Sequence, residues 1–365
     1  MDNKILKSIF EEVDVMNVDS ALLSEHSLSL VDEWIDTGSL ALNAIISGSM
    51  FRGMPSGRVI GITGPSGCGK TLILTKLIGN FQKKSIDKWG IVFDSEMAFD
   101  ANTATGLGAD PTRIKHYPIE SVQKLRNQIV KTLDKIIEHG QQGKFIIGID
   151  SLGNLGGGKE IKDALADKDA ADMGTRAKEI RSLLRVITYR AARAKTTVIF
   201  TNHIYSDPTA MYETIIKNQS GGEGPQYVAS LVLQLGVCPE KHEEDDVQDV
   251  MLIGAKKYSG VTLHAITAKN RFIPQYLTTD LYLNFKTGLS KYGGLFNLAK
   301  SFGVIDGDKS YSLDGEKLGY YKEWRYNEEV WQRILPKLEK RIQEEWCFSV
   351  SDFNALKEEV KEATK

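Results

Sequence analysis

The chain has 365 residues, of which 41% are apolar and 26% are charged, and its net charge is −2 at pH 7. These values are typical of a globular protein with one large domain and one or two small ones. No apolar run approaches the roughly 18 residues that span a bilayer, and the first residues lack the layout of a signal peptide. The charge argues against binding of nucleic acid by bulk charge alone, but it leaves open a local basic groove or many weak sites acting together.

The three cysteines, Cys68, Cys238 and Cys347, are far apart in the sequence and form no CxxC pair. They therefore predict neither a disulfide framework nor a structural metal site. Together with the lack of a signal or membrane segment, they favour a reducing, cytoplasmic location.

The predicted N-terminal module covers residues 1–35 and contains one helix. Its apolar residues fall at helical spacing; they are Ile5, Leu6, Ile9, Phe10 and Val13. The helix either caps its own domain or docks on a neighbouring subunit as a polymerisation module. Spacing alone favours neither interpretation.

The central region, residues 36–288, alternates short apolar strands with helices. The predicted strands are Val59–Ile62, Gly90–Phe93, Phe145–Ile149 and Thr197–Phe200. Helical spacing separates them, most clearly in the apolar stripe of residues 122–136. Nearly continuous apolar strands with intervening helices predict an α/β fold, in which a mostly parallel sheet is covered on both faces.

After residue 229 the pattern predicts successive strands that are joined by turns. These strands are Leu231–Leu235, Asp249–Ile253 and Leu263–Thr267, and the acidic stretch 240–246 is predicted to be a solvated hairpin tip. The last region, residues 289–365, is predicted to be a small α+β domain that ends in a charged helix.

This C-terminal region carries cations beside two tryptophans, a combination that can receive duplex DNA. The residues are Lys317, Lys322, Trp324, Arg325, Trp331, Arg333, Lys337, Lys340 and Arg341. Interleaved glutamates favour instead an ordinary charged helix face.

A phosphate-binding loop is predicted between the first predicted strand and the helix after it. The pattern GxxxxGK[ST] is met at every required position by Gly64, Pro65, Ser66, Gly67, Cys68, Gly69, Lys70 and Thr71. Its glycines allow backbone N–H groups to surround phosphates, Lys70 would reach the outer phosphates, and the Thr71 hydroxyl would bind Mg²⁺. A chance glycine-rich turn is the alternative, and the strand before and the helix after argue against it.

Carboxylates follow two of the predicted strands. Asp150 ends the strand Phe145–Ile149, where it would hold the Mg²⁺ shell or, alternatively, cap a turn. Glu96 follows Phe93 and would activate the attacking water, with Asp94 as a rival for this role.

The ordered set of motifs resembles the RecA family of DNA strand-exchange recombinases, and most closely its tailed-phage branch of the UvsX type. The resemblance covers residues 36–310 and rests on Thr37–Asn43, Asp94–Glu96, Leu107–Pro111, Ile149–Leu155, Thr201–His203, Gly221–Pro225 and Lys269–Arg271. It implies a P-loop ATPase core of the RecA type, preceded by a helical module and followed by a small domain.

The resemblance also implies an activity, a cofactor and partners. It predicts a helical filament of this chain on single-stranded DNA that pairs with homologous duplex DNA, with ATP and Mg²⁺ between subunits. His203 would sense the γ-phosphate, and Lys269 and Arg271 would reach the ATP site of the next subunit. The resemblance further predicts a recombination mediator and a single-stranded-DNA-binding protein as partners. It also predicts that the protein acts in the cytoplasm of an infected bacterium.

Two segments match the DNA-contacting loops of the family, residues 156–176 and residues 204–224. Lys159, Arg176 and Lys217, with the amides of Gly221 and Gly222, would meet phosphates. Apolar and aromatic side chains would stack on bases or wedge between them, and local packing is their alternative role; they are Tyr205, Met211, Tyr212 and Ile215.

One position departs from the family pattern. Where an aromatic residue often covers the adenine, this chain has Thr103, although Asp100 keeps its place as a possible contact of the base. Phe99 is near in sequence but has no assigned place over the base.

Three other functions compete with strand exchange. A hexameric helicase of the RecA fold would need a larger N-terminal assembly domain. A paralogue that acts only as a loader would not need the complete set of Lys70, Thr71, Glu96 and Asp150. A small-molecule kinase would need an acceptor pocket, for which the sequence gives no sign.

Overall fold

The computed structural model describes residues 3–17, 19–21, 28–165, 174–205, 216–238, 251–253, 256–258, 260–284 and 288–347. The helices are α1 (Asn3–Asp14), α2 (Leu40–Ser47), α3 (Lys70–Gln82), α4 (Ala101–Gly106), α5 (Val122–Glu138), α6 (Gly158–Leu165), α7 (Thr175–Arg193), α8 (Gly224–Val228), α9 (Leu295–Ser301), α10 (Tyr321–Trp324) and α11 (Glu328–Trp346). The strands begin with β1 (Trp34–Ile35), β2 (Met54–Pro55), β3 (Val59–Gly64), β4 (Trp89–Asp94), β5 (Ile114–Pro118), β6 (Phe145–Asp150), β7 (Thr197–Tyr205) and β8 (Asn218–Gln219). They continue with β9 (Leu231–Cys238), β10 (Met251–Ile253), β11 (Lys256–Tyr258), β12 (Gly260–Asn270), β13 (Thr278–Asn284), β14 (Gly288–Leu289), β15 (Ser310–Leu313) and β16 (Glu316–Tyr320).

One large sheet organises the central region, in the strand order β14-β13-β12-β9-β3-β7-β6-β4-β5. Strands β9, β3, β7, β6, β4 and β5 pair in parallel, whereas β12, β13 and β14 continue the sheet in antiparallel fashion. Short β8 pairs with the end of β7. The predicted α/β fold, with a mostly parallel sheet and antiparallel strands after it, is confirmed.

Helices cover both faces of this sheet, as near-continuous apolar strands require. On one face, α5 buries the stripe Val122, Leu125, Ile129, Leu133 and Ile136, and α7 packs beside it. On the other face, α3 buries Ile73, Leu74, Leu77 and Ile78 against the same strands. The stripe on α5 is the one that helical spacing in the sequence predicts.

Some elements differ from the sequence-based predictions. Strand β5 was not predicted, because its side chains at Lys115 and His116 are exposed at the edge of the sheet and interrupt the apolar pattern. The segment 156–176 was predicted to be a weakly patterned loop, but its first half contains helix α6. The predicted strand Asp249–Ile253 is described from Met251 onward, where it pairs with β11 rather than with the large sheet. The acidic stretch 240–246 lies outside the described residues.

The two ends of the chain differ in how they bury apolar surface. On α1, Ile9, Phe10 and Val13 are each more than half exposed. In the C-terminal region, by contrast, Trp324 and Trp331 are buried in an apolar cluster that also includes Leu40, Ala41 and Ala44 of α2, so neither ring is available to stack on a base.

Four of the cations in this C-terminal region, Arg333, Lys337, Lys340 and Arg341 on α11, have acidic partners, as an ordinary charged helix face predicts. Arg333 pairs with Glu316, and Lys337 pairs with Asp314. The division at residues 35 and 288 stays a prediction, and β14 spans the second boundary. No helix within the described ranges is long and apolar enough to cross a bilayer.

Candidate nucleotide site

Strand register gathers the candidate residues at one edge of the sheet. Gly64 at the end of β3 is paired with His203 on β7, and Asp94 at the end of β4 is paired with Asp150 at the end of β6. Because parallel strands end at the same edge, the start of the phosphate loop and these three polar side chains share one crevice.

The phosphate loop joins β3 to α3. Gly69 has φ +78°, and a Cβ there would lie 2.8 Å from Leu283 Cδ2, so this position requires glycine. Lys70 is 7% exposed, and its Nζ donates to the carbonyl oxygens of Gly64 at 3.1 Å and Pro65 at 2.7 Å. Burial raises the pKa of the Cys68 thiol, so Cys68 fills space as a neutral side chain.

Asp150 accepts hydrogen bonds from threonines on both sides. Thr71 Oγ1 donates to Asp150 Oδ2 at 2.6 Å, and Thr201 Oγ1 donates to Oδ1. Burial raises the pKa of Asp150, with a further contribution from the negative charges of Glu96 and Asp94, while the two threonine hydrogen bonds oppose the shift. A cation bound at this carboxylate would offset the cost of burying its charge.

Glu96 stands between a serine and a histidine. Ser151 Oγ donates to Glu96 Oε1 at 2.5 Å, and His203 Nε2 lies 3.3 Å from the same oxygen. The serine is fixed in turn, because its N–H donates to Ser95 Oγ at 2.9 Å. Glu96 remains about a third exposed, so water has access to its carboxylate.

Asp94, the alternative to Glu96 as the residue that activates water, is more deeply buried than Glu96. Its carboxylate is 1% exposed and accepts hydrogen bonds from the backbone N–H groups of Glu96, Met97 and Phe99 and from His116. Burial by itself would raise the pKa of Asp94, but these hydrogen bonds outweigh burial and lower it. Asp94 therefore organises the turn that carries Glu96, and the turn closes it off from solvent.

His203 is linked through backbone to the segment predicted to contact DNA. Ser220 N donates to His203 O at 3.0 Å, and Asn202 Nδ2 donates back to Ser220 O at 2.8 Å. Just beyond, Tyr205 pairs with Asn218 in the β7–β8 ladder. A backbone hydrogen bond therefore joins His203 to the residue that precedes Gly221-Gly222.

The region predicted to face the base is organised by a helix cap. Asp100 is the N-cap of α4 and accepts hydrogen bonds from the N–H groups of Asn102 and Thr103 and from the Thr103 hydroxyl. The Phe99 ring stacks on His116, with centroids 6.5 Å apart, and packs on the core. Contact of Asp100 with a base stays a prediction.

Lys269 and Arg271 lie at the opposite edge of the sheet. Lys269 is paired with Val232, which is level with Gly61, three residues before the phosphate loop begins. At about 3.3 Å per residue, Lys269 is set back by roughly 10 Å and Arg271 by more. These cations therefore point away from the phosphate loop of their own protomer.

Both cations have defined surroundings. Lys269 Nζ donates to Gln226 O at 3.0 Å and also to Tyr227 O, at the end of α8. Burial, with a smaller contribution from Arg271, lowers the pKa of Lys269 to about 8. Arg271 lines a cleft of about 990 Å³ together with Arg181 and Arg185 of α7.

The residues predicted to bind DNA differ in their exposure and in the hydrogen bonds that they already make. Lys159 is exposed on α6, and Tyr205 is 55% exposed at the end of β7. Arg176 donates to the carbonyl oxygens of Leu152, Gly153 and Leu155, so its guanidinium is already engaged by the backbone just before the first loop.

The second loop is described only in part. Lys217 N donates to Gln234 Oε1 at 2.9 Å, and Gly221 and Gly222 both have positive φ. Met211, Tyr212 and Ile215 lie outside the described residues.

Sequence reasoning missed three polar residues of the site, Ser151, Thr201 and His116. A usable signal existed for the first two, because each is a hydroxyl at or after the end of an apolar strand. His116 carried no such signal, since its partner Asp94 is 22 residues away on a neighbouring strand.

Comparison with known proteins agrees with the geometry. Residues 4–290 match the family model described as RecA N-terminal domain. The chain is 30% identical over 292 residues to the "Recombination and repair protein" of Enterobacteria phage T4, covering 78% of this chain and 70% of that protein. It is 28% identical over 335 residues to "Protein RecA" of Arthrobacter sp. (strain FB24), covering 89% and 86% of the two chains. This chain belongs to the RecA family.

Proposed function

We propose that this protein is an ATP-dependent recombinase that polymerises on single-stranded DNA and catalyses homologous pairing and strand exchange. Hydrolysis of ATP takes place between protomers and is stimulated by DNA. The observation that carries this proposal is that the residues expected to act in ATP hydrolysis lie at two opposite edges of the sheet. Lys70, Asp150 and Glu96 lie at one edge of the sheet, and Lys269 and Arg271 lie at the other.

The residues at the first edge suit a nucleoside triphosphate with Mg²⁺. Lys70 Nζ already occupies the mouth of a glycine-rich loop, where it would exchange carbonyl oxygens for phosphate oxygens. The hydroxyl of Thr71 and the carboxylate of Asp150 are hard oxygen ligands within 2.6 Å of one another. Mg²⁺ bound there supplies positive charge to the terminal phosphates.

Hydrolysis then needs an oriented water molecule. Glu96, held by Ser151 and facing His203, accepts a proton from the water whose oxygen attacks the γ-phosphorus. The bond to the bridging oxygen breaks, and ADP and phosphate are released. Lys269 and Arg271 from the adjoining protomer offset the negative charge that spreads over the transferred group.

Coupling to DNA runs from Glu96 through His203. His203 contacts the Glu96 carboxylate on one side and the backbone of Ser220 on the other. Binding of the γ-phosphate near His203 would therefore reposition the segment that contains Gly221 and Gly222. This segment would contact DNA together with Lys159, Arg176, Tyr205 and Lys217, and with Met211 and Tyr212.

Assembly uses the N-terminal helix in this proposal. The exposed side chains of Ile9, Phe10 and Val13 leave α1 with an apolar face, which favours docking on a neighbouring protomer over capping its own domain. A recombination mediator and a single-stranded-DNA-binding protein would assist loading, in the cytoplasm of an infected bacterium.

Electron microscopy tests the proposal directly. The protein is mixed with single-stranded DNA, Mg²⁺ and a slowly hydrolysed ATP analogue, and extended helical filaments are expected. A parallel assay measures ATP turnover with and without DNA.

The same experiment identifies the competing functions. Closed rings that unwind duplexes would support the hexameric helicase. Absence of DNA-stimulated hydrolysis would support a loader and overturn the recombinase.

A further inference from the structure

His116 holds the far side of the turn that carries Glu96. It lies on edge strand β5, next to Val92 in the register with β4. Its Nε2 atom is 3.1 Å from Asp94 Oδ2, so the imidazole reaches along the sheet toward the strand ends. The contact ties the outermost strand of the sheet to the nucleotide edge.

The carboxylate of Asp94 is fully used by its four neighbours. Oδ1 accepts from Glu96 N at 2.9 Å and Met97 N at 2.8 Å, while Oδ2 accepts from Phe99 N at 3.0 Å and contacts His116. An ionised carboxylate has about four acceptor positions. With Asp94 1% exposed, solvent has little access to replace a lost donor.

The protons of this contact can be assigned. The pKa of Asp94 is lowered, so the carboxylate is ionised near neutral pH and only accepts hydrogen bonds. The hydrogen must therefore lie on Nε2 of His116, and a neutral imidazole in this tautomer is sufficient. The Phe99 ring stacks on the imidazole, with the centroids 6.5 Å apart and an interplanar angle of 18°.

We propose that His116 is a positioning residue for ATP hydrolysis, because its hydrogen bond keeps Asp94 turned toward the amides of the Glu96 turn. Met97, in that turn, has a left-handed φ of 54°, a conformation that needs support from its surroundings. The inference rests on the proposed hydrolytic role of Glu96. His116 itself touches neither the water nor the phosphates in this role.

Two variants separate the hydrogen bond from packing. His116→Gln keeps an N–H donor at a similar reach but loses the ring, whereas His116→Phe keeps the ring against Phe99 but loses the donor. We expect kcat of the DNA-stimulated ATPase to fall about tenfold in His116→Phe, with KM for ATP within about twofold. The Gln variant should stay within about threefold of the wild type. Lys115→Ala, the exposed neighbour on β5, is the matched control.

Amide hydrogen exchange gives a second measurement that does not depend on turnover. The amides of Glu96, Met97 and Phe99 should exchange faster in His116→Phe than in His116→Gln. Wild-type turnover in the Phe variant, or equal losses in both variants, would overturn the inference. If the wild type shows no DNA-stimulated hydrolysis, the proposed function fails, and the exchange rates still decide whether His116 holds the turn.

Discussion

The imidazole of His203 and the carboxylate of Glu96 are in contact, with Nε2 3.3 Å from Oε1. The backbone carbonyl oxygen of His203 also accepts a hydrogen bond from Ser220 N, so one residue contacts both Glu96 and the segment proposed to bind DNA. The proposed coupling between ATP and DNA would run through these two contacts.

Removing the charge of Glu96 tests the hydrolytic step. Glu96→Gln keeps the shape and the contact with Ser151 but no longer accepts a proton. We expect kcat to fall by about 10²–10⁴-fold while ATP affinity is retained. Steady-state turnover and equilibrium binding of ATP measure the two quantities. Glu120→Gln, an exposed carboxylate paired with Lys124, is the control, and surviving turnover in Glu96→Gln would exclude this role.

Truncating His203 tests the link to DNA. In the wild type, ATP should raise DNA affinity, and typical couplings of this kind are about 5–150-fold. His203→Ala should lose the increase, because nothing then joins Glu96 to Ser220, whereas His264→Ala, at a half-exposed site, should keep it. DNA binding measured with and without ATP decides the matter, and an unchanged increase in His203→Ala would break the proposed link.

Mixing defective protomers tests the action of Arg271 in trans. Arg271→Ala should lower turnover by about 10³-fold or more, and Lys70→Ala should abolish use of its own phosphate loop. A mixture should recover activity, because the Lys70→Ala protomer still offers Arg271 to its neighbour. Turnover of the mixture is compared with that of each variant alone. No gain above their sum would show that Arg271 does not act across protomers, and Arg333→Ala serves as the surface control.

The lowered pKa of Lys269 predicts a pH dependence of assembly. In the free protomer this pKa is about 8, and contact with the phosphates of a neighbour would raise it. Assembly then takes up a proton above about pH 8, so it is favoured below this pH and weakens as pH rises through it. Light scattering with ATP across pH 7–9 measures the effect. Lys269→Arg should flatten the profile, and an unchanged slope would contradict the assignment.

Replacing Asp150 tests the magnesium site. Asp150→Asn removes the charge that would hold the Mg²⁺ shell, so half-saturation should need about 10–100-fold more Mg²⁺. Because the pKa of Asp150 is raised, the wild type should also lose Mg²⁺ on acidification earlier than an ordinary aspartate site. Turnover titrated with Mg²⁺ gives both results. Asp87→Asn, at the surface, should behave as wild type. If Asp150→Asn required no more Mg²⁺ than the wild type, Asp150 would not hold the Mg²⁺ shell.

The parts of the fold that sequence predicts are those with a strong local pattern. Strands β3, β4, β6 and β7 are apolar because both faces of the sheet are covered, and the phosphate loop is a contiguous motif. Strand β5 lies at an edge of the sheet, where several of its side chains are exposed. Its apolar pattern is therefore too weak to recognise in the sequence. The contact of His116 with Asp94, which β5 provides, was therefore not predicted from the sequence.

The sequence also shows which residue types are present, but not which groups their side chains bind within the folded chain. Arg176 was predicted to meet phosphate, yet its guanidinium donates to three carbonyl oxygens just before the first loop. Lys269 was predicted to reach another subunit, and within its own chain it donates to the end of α8. Both cations thus already have acceptors within their own chain, which a motif cannot reveal.

The placement of Gly64 and Arg271 at opposite edges of one sheet also limits symmetry. If Arg271 reaches the phosphate loop of an adjoining protomer, the contact joins two unlike surfaces, and repeating it gives a ring when the rotation closes and an open filament when it does not. In an open filament, each added protomer leaves one unused surface of each kind, so growth is open-ended and the two tips of the assembly are chemically different. The protomer at one tip would hold a nucleotide that no cation from a neighbour can reach.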